Sequence, residues 1–172
     1  WTYNEPVVWH EFVLDTARLA RRAGLRGLYK SAFFITERSA RELIPLVDLF
    51  SISVKSANPM FYRKLTGGWI EPVLKATEVV YESGRPPGIS NLLIPGENTA
   101  SDDIKRLVDW IVERLSPDVP LHFVRFHPDY QFTHVPRTPV ETLMHARQIA
   151  LARGVKHVYL GNAPRADGSD TH

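Results

Sequence analysis

An apolar run, Leu92-Leu93-Ile94, stops at Pro95-Gly96 and passes through Glu97-Asn98 to Ser101-Asp102-Asp103. A short apolar run halted by Pro-Gly reads as a buried strand reaching its loop, and the hydroxyl-and-acid tripeptide marks a helix start. The same unit recurs along the chain: short apolar strand, polar loop, amphipathic helix. Strands are predicted over residues 27–32, 48–54, 89–94, 121–126 and 155–160, and helices over 6–23, 36–47, 70–83, 102–115 and 138–153. Such alternation predicts an α/β fold with a parallel sheet wrapped by helices. Periodicity fits an open doubly wound sheet or a partial barrel equally well. In either one, ligands bind at the loops that follow the strand ends.

The chain has 172 residues and no cysteine. That length suffices for one α/β domain with its own core, and the reading is a single barrel-type domain over 1–164 followed by a polar tail over 165–172. Without cysteine the chain has no disulfide, no thiolate metal site and no cysteine nucleophile. A net charge of +2, with the two signs interspersed, gives no basis for a nucleic-acid partner. No apolar run approaches the roughly 20 residues that span a bilayer. No signal peptide is visible, so a cytoplasmic location and no membrane partner are expected. The first residue is Trp1 and the opening looks like the inside of a loop, so the expectation is a piece of a longer protein.

Local signals support these elements. Pro6 suits the first turn of the first helix, and Val8, Phe12, Leu19 and Ala23 are expected on its apolar face. Thr36 with Glu37 fits a helix start. Asn58-Pro59 opens a short helical turn that Gly67-Gly68 ends. Thr138-Pro139 precedes the last helix, with Thr138 expected as its cap.

The polar positions at strand ends are Asn4, Glu5, Lys30, Ser31, Ser53, Lys55, Ser90, Asn91, His122, Arg125, His127 and Asn162. Glu5 is either a hydrogen-bond acceptor for a ligand amine or an acid placed at a helix N-terminus. Lys55 either binds a ligand carboxylate or phosphate, or snorkels from the sheet rim. Ser31 and Ser53 read more as solvated loop or strand hydroxyls than as ligands. His122, His127 and His134 with Asp129 raise the question of a metal, which needs three or four ligands at fixed geometry; no protein-bound metal is expected. Arg125 and His127 share a strand face if the chain stays extended. There is no Gly-x-Gly-x-x-Gly, no Walker loop, no His-Glu-x-x-His and no Gly-x-Ser-x-Gly elbow.

Thr2-Tyr3-Asn4-Glu5-Pro6, Phe61-Tyr62-Arg63-Lys64-Leu65, Leu93-Ile94-Pro95-Gly96, Arg125-Phe126-His127-Pro128-Asp129-Tyr130, Thr138-Pro139-Val140-Glu141-Thr142-Leu143 and Val158-Tyr159-Leu160-Gly161-Asn162 follow one another in this order. Together they resemble the radical SAM enzymes of the AmmeMemoRadiSam system, relatives of the pyruvate formate-lyase activating enzymes. The resemblance implies a partial (β/α)6 TIM-like barrel of parallel strands with the N-terminal strand or strands missing. It also implies S-adenosylmethionine and a [4Fe-4S] cluster as cofactors, with the cluster ligands outside this chain. Family members cleave S-adenosylmethionine reductively to a 5′-deoxyadenosyl radical, which abstracts hydrogen from substrate. A protein substrate and an electron donor are the further partners implied. Carried onto this sequence, the resemblance implies that Asn4 and Glu5 hold the methionine amine and that Lys55 lies near its carboxylate. Ile94 flanks the adenine and His127 lies near the nucleoside, while Ser31, Ser53, Ser90 and Arg125 complete the pocket.

The sequence departs from the family in places. The cluster motif Cys-x3-Cys-x2-Cys is absent. The family's Asn-Gly is Ala32-Phe33, its Asp-Leu-Lys is Ser53-Val54-Lys55, and an acid expected before Ser90 is Gly88. Lys30 puts an ammonium in an otherwise apolar strand, in reach of a cofactor carboxylate. The first reading is therefore a radical SAM enzyme in its full-length form, this cysteine-free chain alone being inactive. A diverged barrel serving as a binding or interaction module is the second. A metal-dependent barrel enzyme using His122, His127 and an acid is the third.

Overall fold

The computed structural model describes residues 1–163; the tail read over 165–172 lies outside them. Five strands, β1 (Leu28–Ser31), β2 (Leu49–Ser53), β3 (Gly88–Leu93), β4 (Leu121–Arg125) and β5 (Val158–Gly161), form one sheet in the order β1-β2-β3-β4-β5. β1 pairs with β2 and β4 with β5, both in parallel, with Leu28 opposite Leu49 and Leu121 opposite Val158. Sequential order with parallel pairing is what a βα repeat gives when every crossover has the same hand.

The helices are α1 (His10–Arg22), α2 (Glu37–Leu43), α3 (Pro59–Phe61), α4 (Glu71–Glu82), α5 (Ser101–Trp110) and α6 (Val140–Ala152). A 3₁₀ turn, Pro6–Trp9, precedes α1, and one-turn π segments, Tyr62–Thr66 and Ile111–Leu115, extend α3 and α5. The chain divides into two compact units. The first comprises Trp1–Val54 with Ile70–Ile89, and the second Lys55–Trp69 with the residues from Ser90 onward.

In the first unit Tyr29, Phe50 and Ile52 are buried on one face of β1 and β2, with Val13 and Ala17 of α1, Ala40 and Leu43 of α2 and Val73, Ala76 and Val80 of α4 supplying buried helix surface. Trp1 sits beside β1 as a parallel neighbour would, its amine donating to the Leu28 carbonyl (2.6 Å) and its own carbonyl accepting from Lys30 N–H (3.0 Å). The Trp1 ring lies over Gly27, where a Cβ would come within 3.0 Å of it, and its Nε1 donates to Thr16 Oγ1.

The apolar face of α1 is not the one expected. Val13, Leu14 and Ala17 are buried, whereas Val8, Phe12 and Leu19 are exposed. The helix begins at His10, after the 3₁₀ turn, so Val8 is out of its frame. The buried set then follows the i, i+3, i+4, i+7 spacing from His10. Phe12 stacks instead on Trp9, ring centroids 5.9 Å apart. Thr36 does cap α2, its hydroxyl accepting from Ser39 N–H.

In the second unit α6 packs on β4, β5 and α5. Leu121, Phe123, Val158 and Leu160 are buried, as are Leu143, Ala146 and Ala150 of α6. Thr138 does not cap α6. Pro139 occupies the cap position without a side-chain bond, and Thr138 has another use described below.

Candidate functional site

Parallel sheets are ordinarily covered by apolar packing on both faces. Within each unit here, one face is apolar and buried and the other is accessible, mixing polar with apolar side chains. In β1 and β2 the second face carries Leu28, Lys30, Leu49, Ser51 and Ser53, none of them buried. In β4 and β5 it carries His122, Val124 and Tyr159, also not buried. The His122 and Tyr159 rings stack at 4.9 Å, the contact their adjacent positions in the register permit.

The loops after the strand ends hold the strained backbone. Tyr3 (φ 71), which follows the Trp1 pairing, Phe33 (φ 58) after β1, Tyr130 (φ 48) after β4 and Asn162 (φ 58) after β5 are all left-handed without being glycine. Gly96 (φ 78), in the loop after β3, supplies the same conformation without a steric cost. Left-handed conformations of residues with a side chain gather where a structure over-determines them, most often at ligand sites.

At the end of β1 the Glu5 carboxylate is gripped by its own unit. Oε1 accepts from Ser31 Oγ (2.5 Å) and Val7 N–H (3.3 Å), and Oε2 accepts from Ala32 N–H (2.8 Å). Ser31 Oγ in turn accepts from Phe33 N–H (2.8 Å). Each carboxylate oxygen has two acceptor sites, so Oε2 keeps one for a further donor. Glu5 thus caps the 3₁₀ turn, as one of the two sequence readings expected, and Oε2 has room for one further donor. Beneath it Tyr29 is buried, and its hydroxyl has no partner among the described residues. Burial, with the Glu5 carboxylate adding to it, pushes the Tyr29 phenol well above its ordinary range. Asn4 is exposed.

The second unit builds its rim on amides. The Lys55 carbonyl accepts from Asn91 Nδ2 (2.9 Å) and Asn98 Nδ2 (2.8 Å), and the Lys55 N–H donates to the Tyr62 hydroxyl (3.1 Å). Asn98, 3% exposed, also donates to the Leu92 carbonyl and accepts from Ile94 N–H. The Lys64 ammonium meets the Glu97 carboxylate at 2.7 Å, and Asn58 Nδ2 donates to Asp103 Oδ1. These bonds tie the segment after β2 to the loop after β3. Thr138 Oγ1, fully buried, donates to the Leu93 carbonyl (2.6 Å) and accepts from Phe126 N–H (3.2 Å). Arg125 Nε donates to the Thr138 carbonyl (2.6 Å). Thr138 therefore joins the ends of β3 and β4.

Burial pushes the Tyr62 phenol up to about 12, the Lys55 N–H acting weakly the other way. The folded chain thus holds this proton more tightly than the unfolded chain, whose value is 10.0. The contribution is complete below the unfolded value and is lost as pH rises through the folded one. Tyr62→Phe is expected to flatten that part of the alkaline loss of stability. Urea unfolding at about pH 9 and about pH 11 checks it, and equal losses in the two proteins over that interval would overturn it.

The sequence-assigned residues accordingly fall into groups. Asn4, Glu5, Ser31 and Ser53 lie in the first unit; Lys55, Ser90, Ile94, Arg125 and His127 lie in the second. Glu5 and Ser31 meet directly. Ser90 and Ile94 are buried, each at 9%, and His127 is exposed. Sequence reasoning missed Asn98 and misassigned Thr138. The signal for Asn98 was its place just beyond a Pro-Gly turn, where an asparagine side chain can stand in for backbone. Thr138-Pro139 resembles a helix start so closely that its hydroxyl's two long-range bonds left no local trace.

No group of three His, Asp or Glu side chains among the described residues could hold a metal ion, which removes the metal-dependent reading; His122 stacks on Tyr159 instead. With no cysteine in the chain, a [4Fe-4S] cluster has no thiolate ligands here, and no chemical step through one follows from these residues. No helix among the described residues is long and apolar enough to cross a membrane.

The fold is a partial TIM-like barrel of the kind found in radical SAM structures. A domain of pyruvate-formate lyase-activating enzyme from Bacteroides vulgatus superposes with a TM-score of 0.81 at 20% identity, covering 94% of this chain and 97% of that one. A radical SAM methyltransferase from Sphaerobacter thermophilus gives 0.74 at 18% identity over 92% and 49%. Streptococcus suis SuiB bound to S-adenosylmethionine gives 0.69 at 10% identity over 88% and 36%. In sequence the chain is similar to an uncharacterized protein of Methanocaldococcus jannaschii, 38% identical over 172 residues, all of this chain and 51% of the relative. It is also similar to the benzylsuccinate synthase activating enzyme of Thauera aromatica, 23% identical over 184 residues, 97% of this chain and 55% of the relative. The chain spans about half the length of these curated relatives. No protein-family model matches it.

Proposed function

We propose that this chain is the S-adenosylmethionine-holding part of a radical SAM protein of the activating-enzyme kind, with the cluster ligands supplied from outside these residues. The observation that carries the proposal is Glu5. Its carboxylate is fixed by Ser31 and Ala32 at the end of a parallel strand and keeps an acceptor site on Oε2, the arrangement a bound ammonium group requires. In this reading Glu5 and Asn4 take the methionine amine, Lys55 takes the carboxylate, and Ile94 and His127 border the nucleoside. Ser53, Ser90 and Arg125 are further cofactor-binding candidates, and Ser31 acts through Glu5 as a positioning residue. When bound, S-adenosylmethionine would supply the carbon radical of the family; these residues bind and orient it. The whole protein's reaction would be hydrogen abstraction from a substrate, and a polypeptide is the class we favour, because SuiB has been solved with a precursor peptide and the curated relative with a known role activates an enzyme. An electron donor is the remaining partner.

Titration calorimetry with S-adenosylmethionine tests the reading. Glu5→Gln keeps the shape of the side chain and removes its charge, so affinity is expected to fall at least about tenfold, the value of one charge-assisted hydrogen bond. Unchanged affinity, or no binding by the unaltered chain, would sink this assignment. A second reading, a barrel kept as an interaction module, is favoured by Ala32-Phe33 where the family has Asn-Gly. Iron content and EPR of the anaerobically reconstituted full-length gene product separate the two: a cluster signal altered by S-adenosylmethionine supports the enzyme, and no cluster supports the module.

A further inference from the structure

The geometry points to an anion subsite at Lys30 and Ser51 that takes a carboxylate attached to an apolar body. This deepens the reading above and rests on it for the identity of one possible ligand.

Lys30 and Ser51 are opposite each other in the parallel register of β1 and β2, so both side chains stand on the accessible sheet face. Lys30 is exposed, and among the described residues its ammonium reaches Ser51 Oγ, at 3.5 Å. No carboxylate pairs with it among the described residues, although the unit's other strand-end acid, Glu5, is occupied by Ser31, Val7 and Ala32. The preceding pair on the same face is Leu28 and Leu49, 43% and 56% exposed. A parallel sheet face is ordinarily apolar. This one instead presents an ammonium and a hydroxyl beside two bare leucines, and the four side chains form one contiguous patch two residues long on each strand. Lys30 is the penultimate residue of the outer strand of the sheet, and its backbone is paired on both sides, to Trp1 by its N–H and to β2 by its register. The patch asks for a negative oxygen that can accept from both Nζ and Oγ, with hydrocarbon behind it.

Two ligands carry that chemistry: the carboxylate of S-adenosylmethionine and the carboxylate of a separate substrate. The arms of one experiment distinguish them. Calorimetry compares S-adenosylmethionine with its decarboxylated analogue on the unaltered chain, Lys30→Met and Lys30→Arg. In parallel, amide NMR shifts of residues 28–31 and 49–53 are followed during titration with benzoate. If the unaltered chain prefers S-adenosylmethionine over the analogue by about tenfold, and Lys30→Met cuts that preference at least about threefold while Lys30→Arg keeps most of it, the subsite contributes to holding the cofactor carboxylate. If S-adenosylmethionine shows no such preference, or does not bind at all, but benzoate shifts those amides in the unaltered chain and not in Lys30→Met, the subsite holds a substrate carboxylate. The second result leaves the inference standing even where cofactor binding fails. A preference undiminished in Lys30→Met, or no preference together with no benzoate response, overturns it.

Discussion

Asn98→Ala is expected to destabilise the chain by about 3 kcal/mol, more than any other single polar change at the strand-end loops. The side chain is 3% exposed and makes three hydrogen bonds, accepting from Ile94 N–H at 2.7 Å and donating to the Lys55 and Leu92 carbonyls at 2.8 Å each. The losses are unequal. The Lys55 carbonyl keeps Asn91 Nδ2 as a donor, so it is not orphaned. Ile94 N–H and the Leu92 carbonyl lose their side-chain partner, and each buried group left without one costs about 1–3 kcal/mol. Asn91→Ala, which leaves the Lys55 carbonyl with Asn98, is expected to cost about half as much. The midpoint of urea unfolding at unchanged slope measures both. A loss below about 1 kcal/mol for Asn98→Ala, or an equal loss for the two, would show that water replaces the amide and that the loop is not held as described. On the proposed reading S-adenosylmethionine affinity is expected to fall as well, because that loop carries Ile94 and the segment after β2 carries Lys55.

The difference between Asn91 and Asn98 shows what the sequence made legible. Strand positions and the parallel pairing followed from apolar runs separated by helical patterns, because those signals are local and repeat; the sequential strand order did not, since the same periodicity fits a doubly wound sheet. Glu5 and Lys30 were legible as exceptions: an acid just before Pro6, and an ammonium inside an apolar strand. Asn98 and Thr138 were not, since their partners lie up to 45 residues away and nothing in the neighbouring sequence encodes a long-range bond. The face of α1 was misread for a different reason. Large side chains at Val8, Phe12 and Leu19 outweighed Ala17 in a periodicity argument, yet a small residue at a close helix contact buries as completely. The 3₁₀ turn at Pro6–Trp9 then shifted the frame by an amount that no apolar pattern records.

The loop after β1 makes the sharpest prediction of sign. Phe33 stands where the resemblance calls for glycine, and the backbone has kept the left-handed conformation, φ 58. The side chain is fully buried and meets Tyr29 and Phe50 edge-on at 6.0 Å each. Two opposing effects are therefore built into one residue. The left-handed backbone costs about 1–2 kcal/mol in any residue with a Cβ, while removing a buried phenylalanine costs about 3–5 kcal/mol. Packing wins, so both Phe33→Ala and Phe33→Gly are expected to destabilise. Their order is the test. At an ordinary position alanine is the better residue by roughly 0.5–1 kcal/mol. Here alanine loses the ring and keeps the strain, whereas glycine loses the ring and sheds it, so Phe33→Gly is expected to be the more stable of the two by about 1 kcal/mol. Urea midpoints of the three proteins decide it. Alanine above glycine would mean that the backbone relaxes out of the left-handed region once the ring is gone, and that the ring imposes the turn. Glycine above alanine would mean that the turn is imposed from elsewhere, by the Ala32 N–H on Glu5 and the Phe33 N–H on Ser31. The conformation would then serve to hold the Glu5 carboxylate in place, with the aromatic ring added on top of it.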